Sequence, residues 1–582
     1  MYAYFVFIRR ALLSWSFILC ALLMRLLAAT LAALSSVQCA PPSPVPLALG
    51  VHHLVDAALL ASTDNTYFAL GALSKDTDNP LVVPEYPWEA ALHFYTSLVA
   101  LNASAWALYY GCSDATLFFF PISVCVATSR DGKTWTKPLL SIHPYTANGT
   151  APPVPTNIVF ITEPNTFALH AFADPRSGAT VLAYESQTDG QRYVRAATSL
   201  DGLTFSPAAA DPSSPPAIPY GGFADTAVSV TYDARAGAYA AFGRHDQGVP
   251  NSTARCAGAN AVFRWVARSA KPCGGGGGGG GGCSPTDASN WSTPELVAAL
   301  APGAGGDFAD CLDNYNPAAL APIPDAGTGA LHIALPSVMR HMPLADSGAP
   351  DERAGANDGW MDIRLAVSRD GGANFSFPTR DAFLRRGVGA RDAASGLYNA
   401  SGSEPDAGFV FATNGGVLDV DASAPYVHLL YWGSQTTHAG GGAYLARYVA
   451  GARTGVYRAR LRREGWAGLA SLPAAPAGAG AARTVALRLP QGQPALFLRF
   501  NAAVDAAGEL SVALLGEAGG ALPGFGHGEC APLTGNGLRQ TLVCAGAGQG
   551  GDLGALAARG APVVLDIQLT HSTLFAWELA AQ

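Results

Sequence analysis

Charge is scarce in this chain of 582 residues: Asp, Glu, Lys and Arg make up 13% of it, against 49% apolar residues. That balance excludes general disorder and leaves enough apolar surface for a large core. Lys and Arg do not cluster beyond the first residues and the formal net charge is −8, so nucleic acid is not an expected partner. Long apolar runs are missing after the N-terminal stretch, and no later segment is long enough to cross a bilayer. The cysteines lack the paired close spacing of a zinc site. Nine consecutive glycines, Gly274 to Gly282, are followed by neither the helix nor the Lys-Ser/Thr that a phosphate-cradling loop needs. No motif calls for a cofactor or a metal.

Residues 1–39 read as a secretory signal. Arg9 and Arg10 precede an apolar run from Ala11 to Leu34 interrupted only by Arg25, and Val37-Gln38-Cys39 suits cleavage after Cys39. The alternative is an uncleaved membrane anchor, against which Arg25 argues. Cleavage leaves eight of the ten cysteines, an even number fitting an oxidising compartment. Cys112 with Cys125, and Cys530 with Cys544, each flank one hairpin and are expected as local bridges. The pairing of Cys256, Cys273, Cys283 and Cys311 stays open. Asn102, Asn148, Asn251, Asn290, Asn374 and Asn399 begin Asn-x-Ser/Thr sequons. A secreted, monomeric glycoprotein is expected.

One stretch recurs. Ser129-Arg130-Asp131-Gly132-Lys133-Thr134-Trp135 returns as Ser199-Leu200-Asp201-Gly202-Leu203-Thr204-Phe205 and as Ser368-Arg369-Asp370-Gly371 before Asn374-Phe375. A broken copy runs from Val266 to Ser269 and resumes at Asn290-Trp291. Each intact copy follows an apolar alternating run and leads into an aromatic strand, and Asp-Gly is a dipeptide suited to a tight turn because Gly accepts positive φ. A turn about every 70 to 85 residues, with four strands between turns, means propeller blades. The expected fold is all-β, a five-bladed β-propeller over residues 40–472 followed by a C-terminal β-sandwich over 493–582. The Ala/Gly/Pro-rich residues 473–492 are the expected linker, and a strand from about 47–62 is expected to close the ring. Blade one is expected to end near Leu140, and blade two to open near Ile158.

A four-stranded meander places its strand ends on two faces in alternation, which sorts the acids. Asp131, Asp201 and Asp370 fall in the far turns and bind their own backbone. Glu89, Asp225, Asp313, Glu404 and Asp406 precede or open innermost strands on the near face, where Arg244, His245, Arg340, His341 and His438 end second strands and Asp362 opens a third. Converging carboxylates beside Arg, His and aromatics such as Trp432 suit hydrolysis of a glycosidic bond, one carboxyl protonating the leaving oxygen and another attacking or activating water. The expected catalytic acids are Asp225, Asp362, Glu89 and Glu404. Arg244, His245, Asp313, Arg340, His341, Trp432 and His438 would hold an oligo- or polysaccharide. The alternatives are a non-catalytic carbohydrate-binding or adhesion module, and a sialidase-like enzyme.

Several stretches carry a resemblance: Asn79-Pro80-Leu81-Val82-Val83-Pro84 with Pro87-Trp88-Glu89, Asp225-Thr226 before Tyr232-Asp233, Met361 to Ala366, Tyr431-Trp432-Gly433, and in the tail Leu498-Arg499-Phe500, Pro523-Gly524-Phe525 and Asp552-Leu553. The chain resembles a secreted family related to the five-bladed β-propeller glycosidases, the group holding invertases, levanases and arabinanases. The resemblance implies the propeller-plus-sandwich architecture. It does not extend to fructan activity: the Asn-Asp-Pro-Asn-Gly, Arg-Asp-Pro and Glu-Cys motifs of the invertase-like enzymes do not stand in the proper blades. The turns are also similar to the Asp-boxes of sialidases but one residue short, without that group's three-arginine clamp.

Overall fold

The structure is a computed structural model that describes residues 43–581 apart from 115–121, 148–150, 162–168, 189–190, 209–216, 219–223, 246–264, 274–282, 290, 298–311, 319, 321, 328, 342–358, 391–402, 439–453 and 475–478. The signal segment 1–39, Cys256, Cys311, the glycine run and the sequons at Asn148, Asn251, Asn290 and Asn399 lie outside the described residues. The chain divides into two compact units, Met1–Val45 and Pro46–Gln582.

The second unit is nearly all β. Five antiparallel groups follow one another among the described residues. Group one is Ala91–Asn102, Ala105–Ser113 and Ser123–Ser129, with Ile158–Ile161 on its outer edge. Ile158 thus completes group one rather than opening the next. Group two is Leu169–Ala173, Thr180–Thr188, Gln191–Ser199 and Ser206–Pro207. Group three is Ala224–Asp233, Ala238–His245, Trp265–Pro272 and Glu295–Leu296. Group four is interrupted: Leu312–Asn316, Ser337–His341 and Gly359–Ile363 pair on one side of a break, and Ile323–Asp325, Gly329–Ala334 and Ala366–Ser368 on the other. Pro336 sits at that break, where it has no N–H to give a ladder, and its carbonyl accepts the Arg364 N–H at 2.9 Å. Group five is Phe409–Leu418, Tyr426–Ser434 and Thr454–Arg462, with Leu73–Lys75 on its outer edge.

The two ends of the unit differ from expectation. The strand from near the start of the chain that pairs on group five is Leu73–Lys75, not the stretch 47–62. Within that stretch Gly50–His53 pairs with Val563–Ala581 and Leu60–Asp64 with Ala479–Thr484, while Thr66–Leu70 pairs with Ala467–Ser471. The supposed linker 473–492 likewise contains the strand Ala479–Thr484, paired on both sides. Its small residues serve close packing, since a Cβ on Gly480 would lie 2.7 Å from the Asn65 carbonyl oxygen. The C-terminal sheet is built on a long ribbon of Leu496–Gly516 against Val563–Ala581. The ribbon's register breaks between Val504 and Glu509, and near that break His571 takes a left-handed φ of 43°.

Neighbouring groups adjoin in succession, group four meeting group five through its third strand. Ala91–Asn102 lies beside Leu169–Ala173, which lies beside Ala224–Asp233, which lies beside Leu312–Asn316. Gly359–Ile363 lies beside Phe409–Leu418, and Phe409–Leu418 returns to Ala91–Asn102, with Asn414 opposite Ser97 in parallel. Small buried polar residues join these strands: Thr96 and Thr413 hydroxyls at 2.7 Å, Ser229 Oγ to Asn414 Oδ1 at 2.7 Å, and the Ala171 and Ala412 N–H groups to Ser97 and Ser337 Oγ at 3.0 Å.

The repeated turns have a second use. Asp131 Oδ1 accepts the Lys133 and Thr134 N–H groups at 2.8 and 2.7 Å, and Asp201 Oδ1 does the same for Leu203 and Thr204. Gly132, Gly202 and Gly371 take φ of 63°, 72° and 74°, a conformation Gly adopts without a Cβ clash. Each of these glycines then offers its carbonyl to another group. Tyr109 Oη of group one donates to Gly202 at 2.7 Å, Arg268 Nε of group three to Gly371 at 3.0 Å, and Arg458 Nη1 of group five to Gly132 at 2.8 Å. Disulfides join Cys112 to Cys125, Cys273 to Cys283 and Cys530 to Cys544.

Candidate functional site

Glu89 ends a short 3-10 turn, Pro87–Glu89, just before the first strand of group one, and its side chain is wholly buried. Its Oε1 accepts from Tyr110 Oη at 2.6 Å and from Asn157 Nδ2 at 3.0 Å, and its Oε2 accepts from Lys137 Nζ at 2.7 Å and from the Glu85 N–H at 3.0 Å. Burial, and next the Glu89 charge, pushes the Tyr110 phenol well above its ordinary range. With both oxygens occupied inside the group, this carboxylate has no face to turn toward a sugar. Trp432 is corrected in the same way: it is fully buried and packs on Phe409 with ring centroids 4.8 Å apart, a core position and not a platform for a ligand.

Asp362, Glu404 and Asp406 come together. Their common support is the segment Arg386-Gly387-Val388, which follows the outer edge of group four. The Arg386 N–H donates to Asp362 Oδ1 at 2.7 Å, and the Val388 N–H to Glu404 Oε2 at 2.9 Å. Gly387 N–H meets the Asp406 carbonyl at 3.1 Å. A Cβ on Gly387 would lie 2.3 Å from Asp406 Oδ1 and 2.6 Å from Glu404 Oε2, so the two carboxylates crowd one point that only glycine leaves free. Lys75 Nζ lies 2.7 Å from Asp406 Oδ2 and 3.8 Å from Glu404 Oε2. Asp406 is buried and also accepts Tyr431 Oη at 3.0 Å, whereas the Glu404 side chain is 51% exposed. Burial, with the Asp406 charge second, raises the Tyr431 phenol well above its usual range. The Arg386 guanidinium lies 5.2 Å from the Trp360 ring centre, within reach of a cation–π attraction.

Register brings further expected residues beside this cluster. Arg340 lies opposite Trp360 and His341 opposite Gly359. The His438 N–H donates to the Gly359 carbonyl at 2.8 Å, and its buried ring lies 6.2 Å from that of Phe409. The backbones of Asp225, Arg244, His245 and Asp313 open or end strands of groups three and four, with Ala224 opposite His245 and Asp313 opposite Met339. The side chains of Asp225, Arg244, His245, Asp313 and His341 lie outside the described residues. Asp131, Asp201 and Asp370 are occupied by their own turns.

Lys75, Arg386 and Trp360 are not among the residues expected from the sequence. Lys75 gives no signal there, since its partner comes from the other end of the chain. Arg386 stands before Gly387-Val388-Gly389, and glycines flanking a single apolar residue mark close backbone approach. Among the described residues no group of three or more His, Cys, Asp and Glu is placed to hold a metal ion.

No family model matches the chain, and no curated protein matches it. Among solved structures it is similar to one described as showing that the GH130 family of mannoside phosphorylases contains glycoside hydrolases that target β-1,2 mannosidic linkages in Candida mannan. That likeness has 12% identity and a TM-score of 0.37 over 67% of this chain and 94% of the other. The catalytic domain of a Coprinopsis cinerea GH62 α-L-arabinofuranosidase matches at 12% identity and TM-score 0.37, over 67% and 97%. A thermostable family-43 glycoside hydrolase matches at 14% and 0.37, over 64% and 91%. Values of this size assign no family.

Proposed function

We propose that the chain is a glycosidase-like protein that cleaves a glycosidic bond with Asp362 and Glu404, and that Asp406 and Lys75 position Glu404. The observation that carries this reading is the grip of Arg386 and Val388: two carboxylates from remote parts of the chain are held by N–H groups two residues apart. Such groups lie roughly 6 to 7 Å apart on an extended chain, within the roughly 5 to 9.5 Å separating the carboxyls of glycoside hydrolases. Glu404, the more exposed, is the acid or base that meets solvent. Asp225, with Arg244, His245, Asp313, Arg340, His341 and His438, would hold sugar hydroxyls from the ends of the neighbouring strands. Glu89 and Trp432 take no part.

The architecture that would bring these strand ends to one mouth is a five-bladed propeller made of the five groups, with residues 50–70 and 467–581 forming the accompanying C-terminal domain. Support for a closed ring comes from the contacts that pass from group to group, through the third strand of group four, and return from Phe409–Leu418 to Ala91–Asn102. An extracellular setting is supported by three disulfides; among the described residues no helix is long and apolar enough to cross a membrane. The test is turnover of a glycan panel, including a fluorogenic sialoside, by Asp362→Asn, Glu404→Gln and Asp225→Asn proteins. Unchanged turnover in the first two removes the assignment. A second reading, carbohydrate binding without hydrolysis, is favoured by Lys75, which already compensates the charge that Glu404 and Asp406 bring together. It predicts glycan binding with no product release.

A further inference from the structure

The loop between Leu496–Gly516 and Asn536–Thr541 carries a histidine between two glycines, Gly526-His527-Gly528. Both sides of it are fastened to the C-terminal sheet. The Leu514 N–H donates to the Phe525 carbonyl at 3.0 Å and the Leu522 N–H to the Leu514 carbonyl at 2.9 Å, with Phe525 buried. On the other side Cys530 is bonded to Cys544, and Leu533 bridges to Leu510. Within the loop the Glu529 and Cys530 N–H groups donate to the Gly526 carbonyl at 2.9 and 3.0 Å, and Glu529 Oε2 accepts the Gly526 N–H at 2.9 Å.

His527 joins a serine to an aspartate. Ser511 Oγ lies 2.8 Å from His527 Nδ1, and His527 Nε2 lies 3.2 Å from Asp566 Oδ2. Arg483 Nε donates to the other oxygen of Asp566 at 2.8 Å. A carboxylate only accepts, so the Nε2 hydrogen faces Asp566, Nδ1 is left as the acceptor, and the Ser511 hydroxyl donates to it. Nucleophile, base and orienting acid stand in the order that activates a serine, with the two ring nitrogens exchanged relative to the chymotrypsin arrangement. Strand register sets the serine and the acid on one face: Ser511 lies opposite Gln568 and Ala513 opposite Asp566, and Gln568 and Asp566 lie opposite Ala481 and Arg483. That face of Val563–Ala581 is the open one. Arg483 and Gln568 are exposed, whereas Leu565, Ile567 and Leu569, which alternate with Asp566 and Gln568, are buried. The His527 side chain is 25% exposed and Ser511 is 6% exposed. Pinning the loop does not require this polar chain, since the disulfide and the backbone bonds already do so.

We infer that Ser511, His527 and Asp566 form a second catalytic site, one that hydrolyses esters of short acyl groups. Ser511 Oγ attacks the ester carbonyl carbon while its proton passes to His527 Nδ1, and Asp566 stabilises the imidazolium through Nε2. The bond from the acyl carbon to the alcohol oxygen breaks, and the alcohol leaves with that proton. Water then gives a proton to Nδ1, attacks the acyl-serine carbonyl, and releases the carboxylic acid as Ser511 recovers its hydrogen. The low exposure of Ser511 admits an acetyl group in preference to a long acyl chain. The inference does not rest on hydrolysis at Asp362 and Glu404, because ester turnover is read without a glycan.

The experiment treats the whole chain with methanesulfonyl fluoride, locates the adduct by peptide mass spectrometry, and separately follows release of p-nitrophenol from its acetate and octanoate esters. It uses wild type, Ser511→Ala and His527→Gln, with an unchanged melting temperature confirming the fold of each variant. The labelling of wild type needs no variant to fold. The expected result is an adduct on Ser511 in wild type that is at least tenfold slower to form in His527→Gln. Acetate turnover should fall at least tenfold in Ser511→Ala, and the octanoate should be cleaved more slowly than the acetate by wild type. A wild-type chain with no adduct on Ser511, an adduct forming within tenfold as fast in His527→Gln, or acetate turnover falling less than tenfold in Ser511→Ala overturns the site. An octanoate cleaved as fast as the acetate overturns the short-acyl preference.

Discussion

Arg458 Nη1 donates to the Gly132 carbonyl at 2.8 Å, so an arginine on the third strand of group five holds the first of the repeated turns, in group one. The same guanidinium binds Asp76 through Nε at 2.7 Å, just beyond the Leu73–Lys75 strand. One buried side chain thereby ties the start of the chain, its first group and its fifth group together. Arg458→Met leaves Asp76 without its partner in a mostly buried setting, and the loss is about 3 kcal/mol by the general behaviour of such pairs. Urea unfolding of the two proteins measures it. A change under about 0.5 kcal/mol, the scale of a surface substitution, would show that the latch does not hold the seam.

Glu89 separates structure from chemistry. Glu89→Gln keeps the shape of the side chain but removes the nearer, buried counter-charge of Lys137, whose side chain is 4% exposed, and leaves it Glu85 at 3.7 Å. Breaking a buried pair in this way costs about 3 kcal/mol, while turnover per folded molecule stays at the wild-type level. Thermal unfolding reads the first and glycan turnover the second. A stable protein that has lost activity would return Glu89 to the catalytic set.

The β character and the turn period were legible because both are local. Alternation marks a strand, and Asp-Gly before an aromatic marks its turn. Partners were not legible, because alternation says that a stretch pairs but not with what. Residues 47–62 contain strand at Gly50–His53 and from Leu60, yet the partners are Val563–Ala581 and Ala479–Thr484, more than four hundred residues on. The strand on the edge of group five is three residues long, too short to carry a period. Ala479–Thr484 reads as linker because Ala and Gly dominate it, the very residues that fit its close packing against Asn65. Strand-end placement alone singles out Asp362 and Glu404, the two acids held by the Arg386 and Val388 N–H groups. That rule says where a residue sits but not which way its side chain turns, so it does not separate them from the buried Glu89 and Trp432.

His93 and His170 make stability depend on pH. Both are buried, and burial pulls each ring down to about 4 from an ordinary 6.5, in His170 against the Val230 carbonyl that accepts from Nε2 at 3.2 Å. Between pH 6.5 and 4 the unfolded chain takes up protons at these rings and the folded chain does not, so stability is full above 6.5 and falls as pH drops toward 4. Each ring adds a slope on the order of 1.4 kcal/mol per pH unit within that window. Urea midpoints measured from pH 7.5 to 4 should fall, and His170→Gln should show a shallower fall than wild type. Parallel slopes would mean that His170 already titrates normally in the folded chain.

The acids at Arg386 and Val388 differ in what surrounds them, and that difference predicts separable losses. Glu404→Gln keeps a side chain that can still accept from the Val388 N–H, and the Glu404 side chain is half exposed, so the fold should be unaffected within about 0.5 kcal/mol. Turnover should fall by about 10² to 10⁴, the usual contribution of a positioned acid or base. Lys75→Met acts on the same group indirectly. It leaves Asp406 buried without a counter-charge, so stability falls by about 2 to 3 kcal/mol, less than for a fully buried pair because Lys75 itself is 30% exposed. Because Lys75 also lies 3.8 Å from Glu404 Oε2, its removal loosens the placement of that carboxyl and should lower kcat without abolishing turnover. Both measurements run on one pair of purified variants. An unchanged kcat per folded molecule in Lys75→Met would place Lys75 among the groups that merely hold the strand, and would leave Glu404 without the positioning partner argued for it.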